Sequence, residues 1–278
     1  MCILFVYTEP KPHKHTYRLI VASNRDEYYQ RPAKSAFLCP QFNIIGGRDM
    51  EKGREGGMWL GVSLNKSNNN KFKFGALLNL TGEERKHGVI GRGPIVADYL
   101  KSDITAMDYL ENLRNGEQHN AFNFVAVELS DTTANVYHHS NVPTTSSVFE
   151  STQILGFGNS TLVAPLLKVT NGVDKFATII ECFNSIEKKD QLVDELLKLL
   201  KWEERHLPDP ELQRRAPSAF EFLSAVYVKI VAAGYGTRTH SIVLVDYDWN
   251  VEFIELTMEE PIDPENPTWL NQNIKAHL

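Results

Sequence analysis

Cysteine is scarce in this chain of 278 residues: it occurs three times, as Cys2, Cys39 and Cys182. The odd count and scattered spacing exclude a disulfide framework and suit a reducing compartment. No Cys-x-x-Cys and no His-Glu-x-x-His pair is present, so a zinc site would have to gather ligands from distant segments, and no metal is expected. Long apolar runs are missing as well. None approaches the ~18–20 residues needed to span a bilayer, so no transmembrane segment is expected. The stretch Met1–Tyr7 has no charged leader and turns polar soon after, which argues against a secretory signal or an Arg- and Ser-rich transit peptide. The expected location is cytoplasmic. Positive charge is not in excess either: 29 Lys plus Arg stand against 35 Asp plus Glu, a net charge of −6. With no basic stripe, no nucleic-acid partner is expected.

What is there is an ordinary globular balance, 42% hydrophobic and 23% charged, with ample material for a core. The chain opens as a hairpin: an apolar run over Cys2–Tyr7, a polar loop over Glu9–His15, and a second strand over Tyr17–Ser23. Further strands are expected at Phe42–Ile45, Met58–Leu64, Phe72–Leu78, Phe122–Leu129 and Ala134–His138, and a last hairpin at His240–Asp246 and Val251–Leu256. The Asn-rich tract Lys66–Lys71 reads as a turn. A helix opens at Gly93-Pro94 and runs to about Lys101, and Thr105 caps the next, with Asp108 three residues on and Gly116 as its stop. Val173–Phe183 and Gln191–Lys201 are amphipathic, and the latter places Leu192, Leu196, Leu199 and Leu200 on one face. The β-branched content of Phe222–Val231 favours a strand. Strands in adjacent hairpins and helices in blocks predict an α+β fold with antiparallel sheets. One domain over 1–260 is expected, with a loosely packed tail over 261–278.

The chemistry concentrates at the first hairpin. If Met1 is removed, Cys2 carries a thiol and an α-amine on one residue, and the amine titrates near ~8, close to a thiol's ~8.5, so it can serve as local base. Arg25 and Asp26, in the polar run Asn24-Arg25-Asp26-Glu27 at the end of the second strand, supply fixed charges beside it. Gly56-Gly57-Met58-Trp59-Leu60-Gly61 reads as a turn entering a strand, or as a glycine-lined approach to a ligand. Asn79 and Asn159 end apolar runs, where an amide can form a turn or donate to an oxyanion. Arg238 precedes a strong strand, as a surface charge or an anion clamp. His138 and His139 must point to opposite faces of a strand, and His13 and His15 lie in a loop. Solvated side chains are the plainer account of both pairs, an axial haem ligand the sharper one.

Met1-Cys2, Ala22 to Glu27 with Arg31-Pro32, Gly57 to Gly61, Arg92-Gly93-Pro94-Ile95-Val96 and Tyr235-Gly236-Thr237-Arg238-Thr239 together resemble the NRDE family, whose eukaryotic members are the transport-and-Golgi-organisation protein 2 homologues. The resemblance runs from Cys2 to about Met258. It implies an N-terminal-nucleophile hydrolase-like αββα sandwich, two antiparallel sheets between helical layers. By analogy with the conjugated bile acid hydrolases and penicillin V acylases, it implies Cys2 as nucleophile, Arg25 and Asp26 beside it, Asn79 and Asn159 as oxyanion and amine-orienting residues, and Arg238 as the late arginine. Ligand contacts are expected from Asn24, Glu27, Gly57, Trp59 and Arg238. The resemblance also implies Golgi organisation, protein secretion, and haem and lipid homeostasis, with association to mitochondria and Golgi at membrane peripheries. Two functions follow: binding and trafficking of haem or a fatty-acyl-CoA, with haem as cargo and no required cofactor, or N-terminal cysteine hydrolysis of a linear amide or thioester.

Overall fold

Every residue of the first strand, β1 (Ile3–Thr8), is buried, which a strand achieves only when both of its faces are covered. The computed structural model, which describes residues 1–65, 71–116 and 118–278, shows what covers them. Ile3, Phe5 and Tyr7 pack into a cluster shared with helices, while Leu4 and Val6 join a second cluster between two sheets. The long partner strand β2 (Tyr17–Tyr28) pairs antiparallel with β1 from Ile3↔Asn24 to Thr8↔Leu19.

The chain continues through β3 (Ala33–Cys39), β4 (Ile44–Asp49), β5 (Leu60–Ser63) and β6 (Phe72–Asn79), then helices α1 (Gly93–Lys101) and α2 (Ala106–Asn115). Next come β7 (Phe122–Leu129), β8 (Ala134–Asn141), β9 (Thr144–Glu150) and β10 (Gln153–Phe157). Helices α3 (Leu167–Phe183), α4 (Lys189–Leu200), α5 (Pro210–Arg215) and α6 (Phe220–Leu223) precede β11 (Lys229–Ile230), β12 (Tyr235–Asp246), β13 (Asn250–Met258) and β14 (Trp269–His277). One sheet has the order β10-β1-β2-β12-β13-β14, with β11 on β12; the other is a meander, β3 to β9 in sequence. All strand pairings among these are antiparallel.

Three apolar clusters stack the layers. The first joins α3, α4 and α5 to the outer face of the first sheet, and the Phe5 and Phe176 rings stack there at 5.7 Å. The second lies between the sheets, with Val21, Val243 and Phe253 meeting Phe72, Phe74 and Val125. The third packs α1 and α2 against β7 through Tyr99, Leu100, Phe122 and Phe124. The result is the α+β arrangement of two antiparallel sheets and flanking helices that the hairpin pattern predicts.

The helix signals at Gly93-Pro94 and Thr105 hold: Pro94 sits in the first turn of α1, and Thr105 Oγ1 accepts from Asp108 N at 3.2 Å. The expected turn at Lys66–Lys71 lies outside the described residues but for its last position. Three segments differ from expectation. Helix α3 begins at Leu167, not Val173, and runs through Gly172, which reads as a turn residue but is there because a Cβ would collide with the Phe5 ring. Of Phe222–Val231 only Lys229–Ile230 is strand, the short β11 on β12; Phe222 and Leu223 end α6, and the residues between are irregular. Their carbonyls serve buried polar groups instead: Ser224 O accepts from His206 N, Ala225 O from Lys168 Nζ and Val226 O from Asn24 Nδ2. Within 261–278, β14 forms nine register pairs with β13, from Asn250↔His277 to Met258↔Trp269. That segment is an ordered edge strand; its polar, half-exposed residues hide the strand pattern.

Candidate functional site at the end of the first hairpin

The Asn24-Arg25-Asp26-Glu27 run lies inside β2, not after it, because β12 pairs alongside as far as Tyr28↔Tyr235. A strand sends successive side chains to opposite faces, so the motif is split. Asn24 and Asp26 face the helical layer; Arg25 faces the other sheet.

On the helical face, Asn24 is fully committed. Its Nδ2 donates to Leu200 O at 2.8 Å and Val226 O at 3.0 Å, and its Oδ1 accepts from His240 Nδ1 at 2.6 Å. The side chain therefore ties β2 to the end of α4 and the following connector, and it has no group left for a ligand. Asp26 Oδ1 accepts from Thr237 Oγ1 at 2.6 Å, while Oδ2 lies 3.3 Å from the Met1 ammonium, which also donates to Tyr235 Oη. Met1 is itself buried, and its sulfur accepts from Thr81 Oγ1 at 3.0 Å. A charged terminus in the interior is tolerable because a carboxylate meets it.

Sequence reasoning missed a second cation here. Lys168, near the start of α3, is fully buried; its Nζ donates to Ala225 O at 3.0 Å and lies within the electrostatic reach of Asp26 and Cys2. Burial pushes its ammonium pKa down, with Asp26 and Cys2 pulling it back up. The signal was available: Lys168, Gly172 and Phe176 follow at helical spacing, so the lysine heads an apolar stripe.

Cys2 faces the space between the sheets and is half-buried. Its thiol points at Asp26 O, 3.9 Å away. Burial pushes the thiol pKa up; the Met1 ammonium and, more weakly, Arg25 oppose this without reversing it. The thiolate is thus disfavoured while Met1 is in place.

Arg25 shares that face. It is 6% exposed, its guanidinium stacks on the Trp59 ring at 4.2 Å, and among the described residues it makes no hydrogen bond and no ion pair; Nη1 is buried without an acceptor. Gly47 makes room for the Trp59 ring, which a Cβ there would strike. Glu255, also buried, accepts from Ala36 N at 2.7 Å through Oε1 and leaves Oε2 unsatisfied. Burial lifts its pKa to about 7, against the attraction of Arg25.

The remaining expected residues are distributed as follows. Asn159 is buried and donates through Nδ2 to Asn79 O at 2.6 Å, with its Oδ1 unsatisfied; Thr81 N donates to Asn159 O at 2.9 Å. These bonds join the ends of β6 and β10 beside Met1. The Asn79 residue is exposed. Arg238 is fully buried and both terminal nitrogens of its guanidinium are occupied: Nη1 donates to the carbonyls of Tyr28, Tyr29 and Arg31, and Nη2 to Glu260 Oε1 at 2.6 Å, while Nε is left without a partner. It clamps the chain leaving β2, so neither a free anion clamp nor a partner of the thiol is seen. Glu27 Oε2 lies 3.7 Å from Arg31 Nε at the rim. Gly57 packs against Gly93, where a Cβ on either would come within 3.0 Å of the other's Cα, and Met58 N donates to Gly93 O at 3.0 Å. Two motifs of the family pattern are therefore one backbone contact. His138 and His139 are buried; Nε2 of His138 donates to Asn123 Oδ1 at 3.2 Å, and Nδ1 of His139 meets Ser146 Oγ at 2.9 Å. They are buried residues of β8 rather than the solvated side chains that the plainer account expects. Among the described residues no helix is long and apolar enough to cross a membrane.

Comparison with known proteins follows this geometry. The model of the family described as Transport and Golgi organisation 2 matches residues 1–260. The Drosophila melanogaster protein named Transport and Golgi organization protein 2 is 40% identical over 265 residues, covering 93% of this chain and 92% of that protein. The Homo sapiens homolog of that name is 35% identical over 264 residues, 93% of each chain, and the Mus musculus one 34% over 275 residues, 97% and 96%.

Proposed function

The chain belongs to the Transport and Golgi organisation 2 family, and from its geometry we propose that it binds and carries an amphipathic anionic small molecule, haem or a fatty-acyl-CoA, at the Cys2, Arg25 and Trp59 face between the sheets. The observation that carries this reading is Arg25. A buried guanidinium with no acceptor is costly, and an anionic or carbonyl group of a ligand relieves that cost with a charge-assisted hydrogen bond. Trp59 offers the apolar companion surface. The setting in Golgi organisation, secretion, and haem and lipid homeostasis, at Golgi or mitochondrial peripheries, is part of this proposal; Golgi organisation is what the relatives' names record.

The test is equilibrium titration of the purified protein with hemin and with palmitoyl-CoA, followed by tryptophan fluorescence. Arg25→Gln should weaken the bound species about ten-fold or more while leaving the melting temperature intact or raised. No saturable binding, or equal affinity in the variant, ends the reading.

A second reading, an N-terminal cysteine hydrolase acting on an amide or thioester, draws support from the unsatisfied Asn159 Oδ1 and the Asp26 carboxylate beside the chain terminus. It requires Met1 to leave, so that the α-amine on Asp26 belongs to Cys2 and can take the thiol proton. Intact mass before and after brief iodoacetamide treatment decides. Loss of Met1 with selective Cys2 labelling supports hydrolysis; a retained Met1, or Cys2 no faster than Cys39 and Cys182, removes it.

A further inference from the structure

A set of arginines beside this site has no role in the reading above. Arg54 follows β4 in the loop that Gly57 packs onto the start of α1, Arg92 is the residue that opens α1, and Arg85 lies in the segment leading to it. That segment is pinned in place: Lys86 N donates to Asn120 Oδ1 at 2.8 Å, Ile90 N to Gln118 O at 3.2 Å, and Arg92 Nη1 to Ala121 O at 2.7 Å. The Arg54 guanidinium lies across the α-carbon of Gly91, where a Cβ would collide with Nη1. A side chain at that position would push the flexible end of Arg54 off the loop that leads into Arg92.

The three guanidiniums share one field. Burial and the like charges of Arg85, Arg54 and Arg31 push the Arg92 pKa down to about 10, with Glu27 the one carboxylate that opposes them there. Among the described residues none of Arg54, Arg85 and Arg92 forms an ion pair. Arg31, by contrast, is neutralised by Asp49 at 2.6 Å. Two carboxylates near this rim have other cations: Glu83 meets Arg215 at 2.9 Å, and Glu27 faces Arg31. Like charges held together by a pinned loop, with no carboxylate within ion-pair distance among the described residues, favour a multiply charged anion.

We propose that Arg54, Arg85 and Arg92 form a binding site for a phosphate-bearing group, the head of a small molecule whose other end reaches Arg25 and Trp59. Phosphate suits the arrangement better than a lone carboxylate, because two or more negative charges answer several guanidiniums, each of which binds phosphate oxygens in a forked geometry. The path to Arg25 is short in the fold: Gly57, at one end of the Arg54 loop, is two residues from Trp59. The inference rests on the reading above only for the ligand's far end.

The test uses inorganic pyrophosphate in isothermal titration calorimetry. Wild-type protein gives saturable heat. The double variant Arg54→Gln/Arg85→Gln, both exposed positions, loses affinity about ten-fold or more, and Gly91→Ala, which displaces Arg54, loses part of it. The charge-matched control Lys11→Gln/Lys14→Gln, on the exposed loop after β1, has no effect. Absent saturable heat, or an equal loss in the lysine control, overturns the site. So does binding to phosphoinositide-containing vesicles with none to free pyrophosphate, which would make the arginines a membrane contact. If hemin and palmitoyl-CoA binding is indifferent to Arg25 while pyrophosphate still needs Arg54 and Arg85, the Arg25 reading falls and the phosphate site stands.

Discussion

Glu255→Gln should make the protein more stable at pH 8 and leave it unchanged at pH 4.5. Glu255 on β13 is buried, one carboxylate oxygen accepts from Ala36 N, and the other has no partner. Burial raises its pKa from 4.5 to about 7, with Arg25 pulling weakly the other way. A carboxyl whose folded pKa lies above its unfolded value holds its proton in the folded state over that interval. Stability is then full below about pH 4.5 and declines as pH rises through 7. A difference of about 2.5 units corresponds to about 3 kcal/mol lost by pH 8. Glutamine keeps the oxygen that accepts from Ala36 and never ionises. The assay is urea denaturation of both proteins at pH 4.5, 6, 7 and 8, read by tryptophan fluorescence. The variant's advantage should grow from almost nothing to about 3 kcal/mol, with most of the rise between pH 4.5 and 7 and a plateau above. Parallel curves at all four values refute the reasoning, as does a variant that is weaker at pH 8. The ligand site should register the same proton. The charges acting on Arg25 are those of Arg238, Glu27, Cys2, Asp49 and Glu255; with Glu255 ionised, anion binding at Arg25 weakens above pH 7, and the variant removes that dependence.

The acid limb has a different origin. Burial pushes His138 down to about 4 and, with Lys201 adding repulsion, His240 to about 3, so the stability that depends on their neutral forms is present above pH 6.5 and lost as pH falls toward those values. His138 alone accounts for about 3 kcal/mol, and His138→Gln should flatten the denaturation profile between pH 6.5 and 4.5. An extension ahead of Met1 replaces the ammonium on Asp26 by a neutral amide and leaves a buried carboxylate with the Thr237 hydroxyl and the more distant Lys168 ammonium. Breaking a buried pair costs about 3 kcal/mol, so a protein with an N-terminal tag should melt several degrees below its C-terminally tagged counterpart; equal melting points remove the ion pair from the account.

Much of the fold was legible where periodicity was regular. Both strands of the first hairpin, the caps of α1 and α2, and the leucine face of α4 follow from side-chain spacing alone. What escaped had a tertiary cause. β3, β9 and β14 are edge or near-edge strands whose polar faces carry no period-two apolar signal. Gly172 looks like a helix stop until Phe5 is placed against it. The candidate site was legible as a set of residues and not as an arrangement: Cys2, Arg25, Asp26 and Asn159 do converge, but Asn24 and Arg238 spend their hydrogen bonds on carbonyls of remote segments, and Lys168 enters from α3. No reading of local spacing shows which donors a distant carbonyl will consume.

That distribution of donors bears on whether the fold holds cargo or breaks a bond. Catalysis by an N-terminal cysteine needs a low thiol pKa and a base: burial holds the thiol up although the Met1 ammonium pulls it down, and with Met1 in place the ammonium on Asp26 is not that of Cys2, so the local base is missing. The cations without an ion pair here, Arg25 between the sheets and Arg54, Arg85 and Arg92 at the rim, ask only for an anion. With Met1 in place, the chemistry left open at this end of the molecule is binding. Removing one residue would shift the α-amine to Cys2 without moving any of those cations, so the same anion site would then hold a substrate next to an activated thiol. Binding therefore comes first in either case, and the arginines can be tested before the state of the terminus is known.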